Sequence, residues 1–262
     1  MNIDLKNKRA IVCGSTEGIG RAIALGLAEL GASVTLIARN EEKLKNVKQA
    51  LSIGSKQNHH YLVADFDKPE ELEKVIAAYV LDNKEIAILI NNSGGPAGGK
   101  AIDAGLEEFQ TAFNRHLMCN QILVKAVAPS MKAGGYGRIV NIISTSVKAP
   151  LPGLGVSNTI RGAVANWAKT LSVELAPFGI TVNNVLPGAT LTGRLGAIIK
   201  NKASKAGVTE QEAKDGMLKE IPAGRFASAD EIANAACFLA SPAAGYINGI
   251  NLPVDGGRLS CL

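Results

Sequence analysis

The stretch that most constrains the fold is residues 9–20, which read Arg-Ala-Ile-Val-Cys-Gly-Ser-Thr-Glu-Gly-Ile-Gly. The apolar run at residues 10–13 predicts a short buried strand, and residues 21–30 show the apolar spacing of a helix. Three glycines separate the two elements: Gly14, Gly18 and Gly20. A strand, a glycine-rich turn and a helix start therefore follow one another directly.

This arrangement predicts a phosphate-binding turn. Glycine lets the backbone turn sharply and approach a ligand closely. The N-terminus of the following helix offers unpaired N–H groups and a partial positive charge to an anion. The spacing is G-x-x-x-G-x-G rather than the commoner G-x-G-x-x-G. Because tight turns without a ligand also need glycine, this stretch alone leaves a purely structural turn as an alternative.

Strands and helices alternate along the remaining chain. Further strands are predicted at residues 33–38, 61–64, 86–90, 138–143, 181–186 and 250–254. Further helices are predicted at residues 41–51, 69–81, 106–131, 157–176 and 230–239, and residues 190–220 are polar and loosely helical. The alternation predicts a single α/β domain over residues 1–262, with a doubly wound parallel sheet and helices on both faces.

Composition limits the classes of partner. The chain is 47% hydrophobic and 19% charged, which is ordinary for a soluble globular protein. Its net charge of +5 mildly favours anionic ligands, but the scattered Lys and Arg residues argue against nucleic acid. Four cysteines without a C-x-x-C pair predict core residues or free thiols in a reducing compartment. No signal peptide or membrane-length apolar run is present, so we expect a cytoplasmic protein with no membrane partner and no metal site.

In a doubly wound sheet, ligands bind at the carboxyl ends of the strands. Arg39 follows the second strand, where NAD-preferring sites usually place an acidic residue. A planar guanidinium group suits a 2′-phosphate, so Arg39 favours NADP, with NAD left possible. The alternative is a solvated arginine at a helix entry, and Glu17 weakens the case because it lies near the same phosphate.

The later strands are also followed by residues that suit a ligand. Asp65 follows the third strand, where its carboxylate could accept the adenine amino group or simply belong to a turn. Residues 91–95, Asn-Asn-Ser-Gly-Gly, would let the backbone approach a cofactor closely. Residues 187–192, Pro-Gly-Ala-Thr-Leu-Thr, predict a rigid turn with a hydroxyl group downstream.

Taken together, these segments resemble the short-chain dehydrogenase/reductase family, most closely its β-ketoacyl-(acyl-carrier-protein) reductases and their relatives. The matching segments are residues 13–20, Asp65, 91–94, 138–142, 187–188, 221–226, 231–233 and 254–257. The resemblance implies a seven-stranded Rossmann sheet, a nicotinamide cofactor, and homodimers or homotetramers built on the two long helices. The cofactor contacts we predict are Gly14, Ser15, Thr16, Gly18, Ile19, Gly20, Arg39, Asp65, Asn92, Gly94, Arg161, Pro187, Gly188 and Thr192.

The family's catalytic residues are only partly present. The family uses Ser, Tyr and Lys, with an Asn in the preceding long helix. Ser144 matches the Ser, but Ser157 replaces Tyr, Arg161 replaces Lys and His116 replaces Asn; these four are the predicted catalytic residues. A serine hydroxyl is far too weak an acid to replace a phenol. A subgroup of ketoacyl-reductase-like proteins shares such imperfect tetrads, and this chain resembles them.

Two functions follow as hypotheses. The first is an NADP(H)-dependent oxidoreductase that reduces a small-molecule carbonyl, for example a 3-oxoacyl thioester, to an alcohol. Ser144 and Ser157 would orient the substrate oxygen, and Arg161 would fix the cofactor ribose. The second is a catalytically silent nucleotide-binding sensor or partner subunit.

His116 is the predicted proton source, because histidine ordinarily exchanges protons near neutral pH. The rate should then fall as pH rises through a value below about 6.5. A histidine tied into helix packing is the alternative. The paired His59 and His60 are expected to be solvated.

Residues 190–220 are predicted to form a lid over the substrate. Small residues on the helix at 157–176 predict a face that a second subunit could approach closely. These residues are Gly162, Ala163, Ala165 and Ala168, with Trp167 and Leu171 adding apolar area.

Overall fold

One parallel sheet forms the centre of the molecule. The computed structural model describes residues 1–54 and 56–261, and within them the sheet has seven strands. They are β1 (Arg9–Cys13), β2 (Ser33–Ala38), β3 (His60–Val63), β4 (Ile86–Asn91), β5 (Gly137–Ile142), β6 (Ile180–Pro187) and β7 (Asn251–Val254). Their spatial order is β3-β2-β1-β4-β5-β6-β7, and every neighbouring pair is parallel. The predicted seven-stranded, doubly wound α/β fold is confirmed.

Helices cover both faces of the sheet. In the described part of the chain they are α1 (Gly18–Glu29), α2 (Glu41–Ala50), α3 (Pro69–Asp82), α4 (Leu106–Phe113), α5 (Cys119–Gly134), α6 (Gly155–Leu175), α7 (Gly193–Ala206), α8 (Glu210–Lys219) and α9 (Ala229–Ala240). Buried residues of α1, α2 and α9 form one core cluster with the sheet, and those of α3, α5 and α6 form the other.

The continuous apolar sequence of β1 explains why this strand lies in the middle of the sheet. Successive side chains of a strand point to opposite faces. Ile11 belongs to the α3–α5–α6 cluster and Val12 to the α1–α2–α9 cluster, and both are fully buried. A strand that is covered on both faces needs a continuous apolar run, which is what residues 10–13 supply.

The strand order places the ligand crevice. β1 pairs with β2 on one side and with β4 on the other, so the chain connections on the two sides run in opposite directions. Ligands of doubly wound sheets bind at this point, beyond the carboxyl ends of the strands. The turn after β1 and the loop after β4 therefore face each other across the crevice.

The predicted long helix over residues 106–131 is confirmed in extent, since helical backbone runs without a break from residue 106 to residue 134, but the helix is not a regular α-helix throughout. The chain forms α4, then a π-helical turn over Asn114–Met118, then α5. The backbone N–H of Cys119 donates to the carbonyl of Asn114, five residues earlier. Apolar spacing continues on both sides of this turn, so the sequence pattern does not show the extra residue. Such bulges often mark functional sites, and this one holds His116 in a buried position.

Residues 190–220 are more regular than the sequence indicates. They form α7 and α8, separated by a short break. Gly207 ends α7 with a φ of +67°, a conformation that favours glycine. Thr209 and Glu212 then form a capping box at the start of α8.

The expectation that His59 is solvated is wrong. His59 is only 5% exposed, and its Nδ1 atom accepts a hydrogen bond from the backbone N–H of Val34 at 3.0 Å. Its Nε2 atom lies 2.7 Å from the carbonyl oxygen of Ser52 and donates to it in the tautomer that Val34 requires. His60, on β3, is partly buried. Within the described residues, no helix combines the length and apolar character needed to cross a membrane.

Candidate active site

The glycine turn after β1 has the geometry that only glycine allows at two positions. Gly14 and Gly18 have φ angles of +58° and +54°. A Cβ atom on Gly20 would collide with the carbonyl oxygen of Gly14. The side-chain amide of Asn92, beyond β4, donates to the carbonyls of Cys13 and Gly14 at 3.2 Å each. Asn92 therefore holds the turn in place from across the crevice.

The N-terminus of α1 is available to an anion. Its N-cap residue, Glu17, makes no side-chain capping hydrogen bond. The first N–H groups of a helix have no partner within the helix. Those of α1 point into the crevice and donate no hydrogen bond to the Glu17 side chain. Together with the backbone turn at Gly14, they fit the phosphates of a dinucleotide.

Arg39 lies beside two carboxylates at the end of the sheet. Its Nη1 atom is 3.9 Å from Asp65 Oδ1 and 3.9 Å from Asp67 Oδ2, and 70% of its side chain is exposed. The structure thus brings two predicted cofactor residues, Arg39 and Asp65, together. Glu17 forms an ion pair with Lys43 Nζ at 3.3 Å, so the negative charge of Glu17 near the proposed 2′-phosphate is offset.

A small notch adjoins this region, on the side of α1 and α2. It is lined by Thr16, Arg21, Lys43, Asn46 and Val47. Arg21 and Lys43 are not among the predicted cofactor residues. Both are cations near the start of their helices, but only packing of α2 beside α1 shows that they share one notch.

The other predicted cofactor residues differ in how they are placed. Ser15 is fully buried, and its hydroxyl donates to the carbonyl of Ile37 at 3.4 Å, so this side chain faces the protein interior. Thr192 approaches the glycine turn: a Cβ atom on Gly18 would lie 3.1 Å from its methyl group. Gly94 has open space around it. Ile19 lies in the first turn of α1, and Pro187 and Gly188 lie at the carboxyl end of β6.

Ser144 and Ser157 come from neighbouring elements. Ser144 lies two residues beyond the end of β5, and its Oγ atom accepts a hydrogen bond from the backbone N–H of Ser146 at 3.1 Å. Ser157 lies in the first turn of α6 and is 8% exposed. Among the described residues, the Ser157 hydroxyl has no hydrogen-bond partner, so it is available to a ligand.

Arg161 is a buried cation one turn further along α6. Only 8% of the residue is exposed, and its Nη1 atom donates to the carbonyl of Ile142 at 3.0 Å. Burial, and next the positive charge of Arg194, lower the pKa of Arg161 to about 10. Within residues 1–54 and 56–261, no carboxylate lies within ion-pair distance of Arg161.

His116 is buried beside Ser93. Its Nδ1 atom is 2.7 Å from Ser93 Oγ, whereas its buried Nε2 atom has no partner among the described residues. Burial lowers the pKa of His116 to about 2, assisted by the positive charges of Arg161, Arg115 and Arg194. The predicted direction, a His116 pKa below about 6.5 because of the cation at position 161, is confirmed, but burial is the larger cause and takes the pKa far from neutral pH.

Two arginines that were not among the predicted site residues also face the site. Arg115 binds Asp67, with its Nε and Nη2 atoms 2.7 Å and 2.5 Å from Oδ1. Arg194, on the first turn of α7, donates to the carbonyls of Gly95 and Pro96 at 2.9 Å and 2.7 Å. The local sequence holds no signal for these contacts, since the partners are distant in the chain. In the part of the chain that the structure describes, no cluster of His, Cys, Asp or Glu could hold a metal ion.

Comparison with known proteins identifies the family. The family model described as enoyl-(acyl carrier protein) reductase matches residues 14–258, nearly the whole chain. The chain belongs to the short-chain dehydrogenase/reductase family. Among curated members of this family, the chain is 35% identical over 253 residues to the 3-oxoacyl-[acyl-carrier-protein] reductase FabG of Haemophilus influenzae, covering 97% of this chain and 98% of that one.

Two further family members are similar over their full lengths. The NADPH-dependent reductase BacG of Bacillus subtilis is 29% identical over 260 residues, which is 98% of this chain and 100% of BacG. The crystal structure of L-sorbose reductase from Gluconobacter frateurii, complexed with NADPH and L-sorbose, has a TM-score of 0.92 and 30% sequence identity and covers 100% of both chains. The fold and the family thus agree with the sequence-based resemblance.

Proposed function

We propose that this chain is an NADP(H)-dependent oxidoreductase that reduces the carbonyl group of a small molecule to an alcohol. One observation carries the proposal: the free N-terminus of α1 and the hydroxyls of Ser144 and Ser157 lie at the same carboxyl edge of the sheet. An anion site for a dinucleotide is thereby combined with donors for a substrate oxygen. Membership of the short-chain dehydrogenase/reductase family supports the same conclusion.

The residues present fit NADP(H). The turn from Gly14 to Gly20 and the start of α1 would hold the pyrophosphate. Arg39 and the notch lined by Arg21 and Lys43 would bind the 2′-phosphate. Two similar proteins support this choice, since BacG is an NADPH-dependent reductase and the crystal structure of L-sorbose reductase contains NADPH. When bound, the cofactor supplies the hydride.

The substrate oxygen would be held by hydroxyl and guanidinium groups. Ser144 and Ser157 would donate hydrogen bonds to the carbonyl oxygen and orient it. Arg161 would contact the cofactor ribose, and its buried charge would stabilise the negative charge that develops on the oxygen during reduction. A cation is most effective there because little water screens it.

His116 would deliver the proton as a neutral imidazole. If Ser93 donates its hydroxyl proton to Nδ1, the buried Nε2 atom carries the remaining hydrogen, which no described residue accepts. A neutral imidazole can serve as donor to a developing oxyanion. As Nε2 releases its proton to the oxygen, Nδ1 would take the proton of Ser93. A water molecule would then reprotonate the Ser93 oxygen and leave as hydroxide, and the imidazole would return its hydrogen to Nε2 by exchange with water before the next turnover.

The substrate class is proposed from the relatives and the lid. Residues 190–220, which form α7 and α8, would cover the substrate, since Arg194 on α7 already reaches the loop after β4. The FabG relatives make 3-oxoacyl thioesters the first compounds to test. We further propose a cytoplasmic, single-domain subunit that forms homodimers or homotetramers.

A second candidate function is a catalytically silent nucleotide-binding sensor or partner subunit. The observation that favours it is the replacement of the family's Tyr and Lys by Ser157 and Arg161. Two measurements separate these functions. Calorimetry measures NADPH binding, and a second assay measures NADPH oxidation over a panel of ketones and 3-oxoacyl thioesters. Turnover of any panel member supports the reductase. Binding without turnover supports the silent protein, and no binding contradicts both.

A further inference from the structure

The charges around the proposed substrate position do not balance. Four arginines lie near the ends of β2, β4 and β5, and two of them have acidic partners. Arg115 binds Asp67, and Arg39 lies 3.9 Å from both Asp65 and Asp67. Arg161 and Arg194 form no ion pair with any described residue. The positive charges of Arg161 and Arg194 both lower the pKa of His116, and this imidazole supplies no negative charge to compensate them.

The two unmatched guanidinium groups converge on one place. A Cβ atom built on Gly95 would lie 3.1 Å from Nη2 of Arg194 and 3.7 Å from Nη2 of Arg161. Both nitrogen atoms are therefore close to the same point, although one group belongs to α6 and the other to α7. Glycine at position 95 lets the Arg194 guanidinium group approach the backbone of this loop closely.

From this geometry we infer that the substrate carries a carboxylate, bound between Arg161 and Arg194 beside Gly95. The inference rests on the proposed reductase function and adds the class of substrate to it. Burying a cation without an anion is costly, and Arg161 is almost completely buried. A carboxylate accepts paired N–H donors from a planar guanidinium group and would remove the repulsion between the two cations.

The cofactor phosphates have other partners. The start of α1 and the cations Arg39, Arg21 and Lys43 lie on the β1–β2 side of the crevice. Arg161 contacts the end of β5, and Arg194 contacts the loop after β4. The unmatched charge is thus on the side of the sheet where the hydroxyls of Ser144 and Ser157 would receive the substrate.

Matched acids and esters test this inference. NADPH consumption is measured with 3-oxobutanoate, 4-oxopentanoate and their methyl esters, for the wild type and for Arg194→Gln, Arg194→Lys and Lys202→Gln. Lys202→Gln removes the same charge from α7 at an exposed position that pairs with Glu220. We expect the wild type to prefer an acid over its ester by about 10- to 100-fold in kcat/KM. Arg194→Gln should abolish this preference, Arg194→Lys should retain part of it, and Lys202→Gln should leave it unchanged.

Binding without turnover supplies an independent readout. Calorimetric titration of pentanoate and methyl pentanoate into the protein with NADP⁺ should show binding of the acid alone, lost in Arg194→Gln. If no compound is reduced but pentanoate binds in this way, the reductase proposal fails and the carboxylate site stands. If esters and acids react equally and Arg194→Gln changes neither, the carboxylate site is refuted while the reductase stands. A tenfold loss of NADPH affinity in Arg194→Gln would assign Arg161 and Arg194 to the cofactor and would refute the carboxylate site. Tighter binding of inorganic phosphate than of pentanoate would refute the carboxylate site as well.

Discussion

The hydroxyl oxygen of Ser93 lies 2.7 Å from Nδ1 of His116, at the point where the loop after β4 meets the π-helical turn. This contact fixes the orientation of an imidazole whose Nε2 atom is buried and has no partner among the described residues. A neutral histidine held in this way can donate only from Nε2 when Ser93 donates to Nδ1. The pair therefore connects the buried imidazole to the proposed proton path.

His116→Asn should lower the rate of carbonyl reduction by about 100-fold, the lower end for loss of a general acid. Because the pKa of His116 is lowered to about 2, the pH–rate profile of the wild type should show no histidine titration between pH 6 and pH 9. Steady-state rates over this range check both points. His60→Asn, on β3, is the matched control and should keep the wild-type rate. An unchanged rate in His116→Asn would assign the proton to water and leave His116 as a packing residue.

The same histidine should make the fold sensitive to acid. In the unfolded chain its pKa is about 6.5, whereas in the folded protein it is lowered to about 2. Below pH 6.5 the unfolded state binds a proton that the folded state does not, so stability is lost as pH falls. Between pH 7 and pH 5 this group should remove about 2 kcal/mol from the free energy of unfolding. His116→Asn should lack this loss in urea unfolding at the two pH values, and equal losses in both proteins would contradict the buried, neutral state.

Arg39→Asp should weaken NADPH binding and relatively favour NADH. A charge-assisted contact to phosphate contributes about 1.5–3 kcal/mol, and the exposure of Arg39 points to the lower end, about tenfold in Kd. Calorimetric titration with both cofactors measures the change. Lys74→Asp makes the same charge change on α3, outside the proposed cofactor site, and should leave both affinities unaltered. Equal affinity of the wild type for NADPH and NADH would reject the preference.

Restoring the family's pair tests the altered tetrad. Ser157→Ala should cost about one hydrogen bond, roughly 1 kcal/mol in transition-state stabilisation. Ser157→Tyr with Arg161→Lys should raise the reduction rate, because a lysine charge lowers the pKa of a phenol and makes it a usable proton donor. Ser157→Phe with Arg161→Lys is the control, since it has nearly the same shape without the hydroxyl. Equal rates for the Tyr and Phe variants would show that the phenol does not reach the substrate.

The protein should form homo-oligomers through α6. Gly162 and Ala163 are both partly buried, and a Cβ atom on Gly162 would have no neighbour within 4 Å, so a partner helix can approach them closely. Ala165 and Ala168 are buried inside the subunit and cannot take part, which narrows the predicted face. Gly162→Trp should therefore disrupt assembly without unfolding the subunit. Light scattering at micromolar concentration measures this, and a wild-type mass equal to the 27.3 kDa of one chain would contradict assembly.

Much of the fold was predictable because its signals are local. The apolar run of β1, the glycines at 14 and 18 and the helical spacing that follows depend only on backbone conformation and on covering both faces of a strand. Repetition of strand and helix then predicts a parallel sheet, and the residues after each strand are brought to one edge by topology. Arg39 and Asp65 were each predicted at the carboxyl end of a strand, and the structure brings them within 3.9 Å of each other.

The state of the site was decided by tertiary structure. His116 and His59 look like ordinary titratable residues in the sequence, but burial and partners supplied by other elements keep the first neutral and tie the second to the backbone. Arg194 is one of many scattered cations until α7 packs against the loop after β4. A pKa or a charge imbalance depends on desolvation and on groups that are distant in the chain, and local sequence patterns carry no information about either.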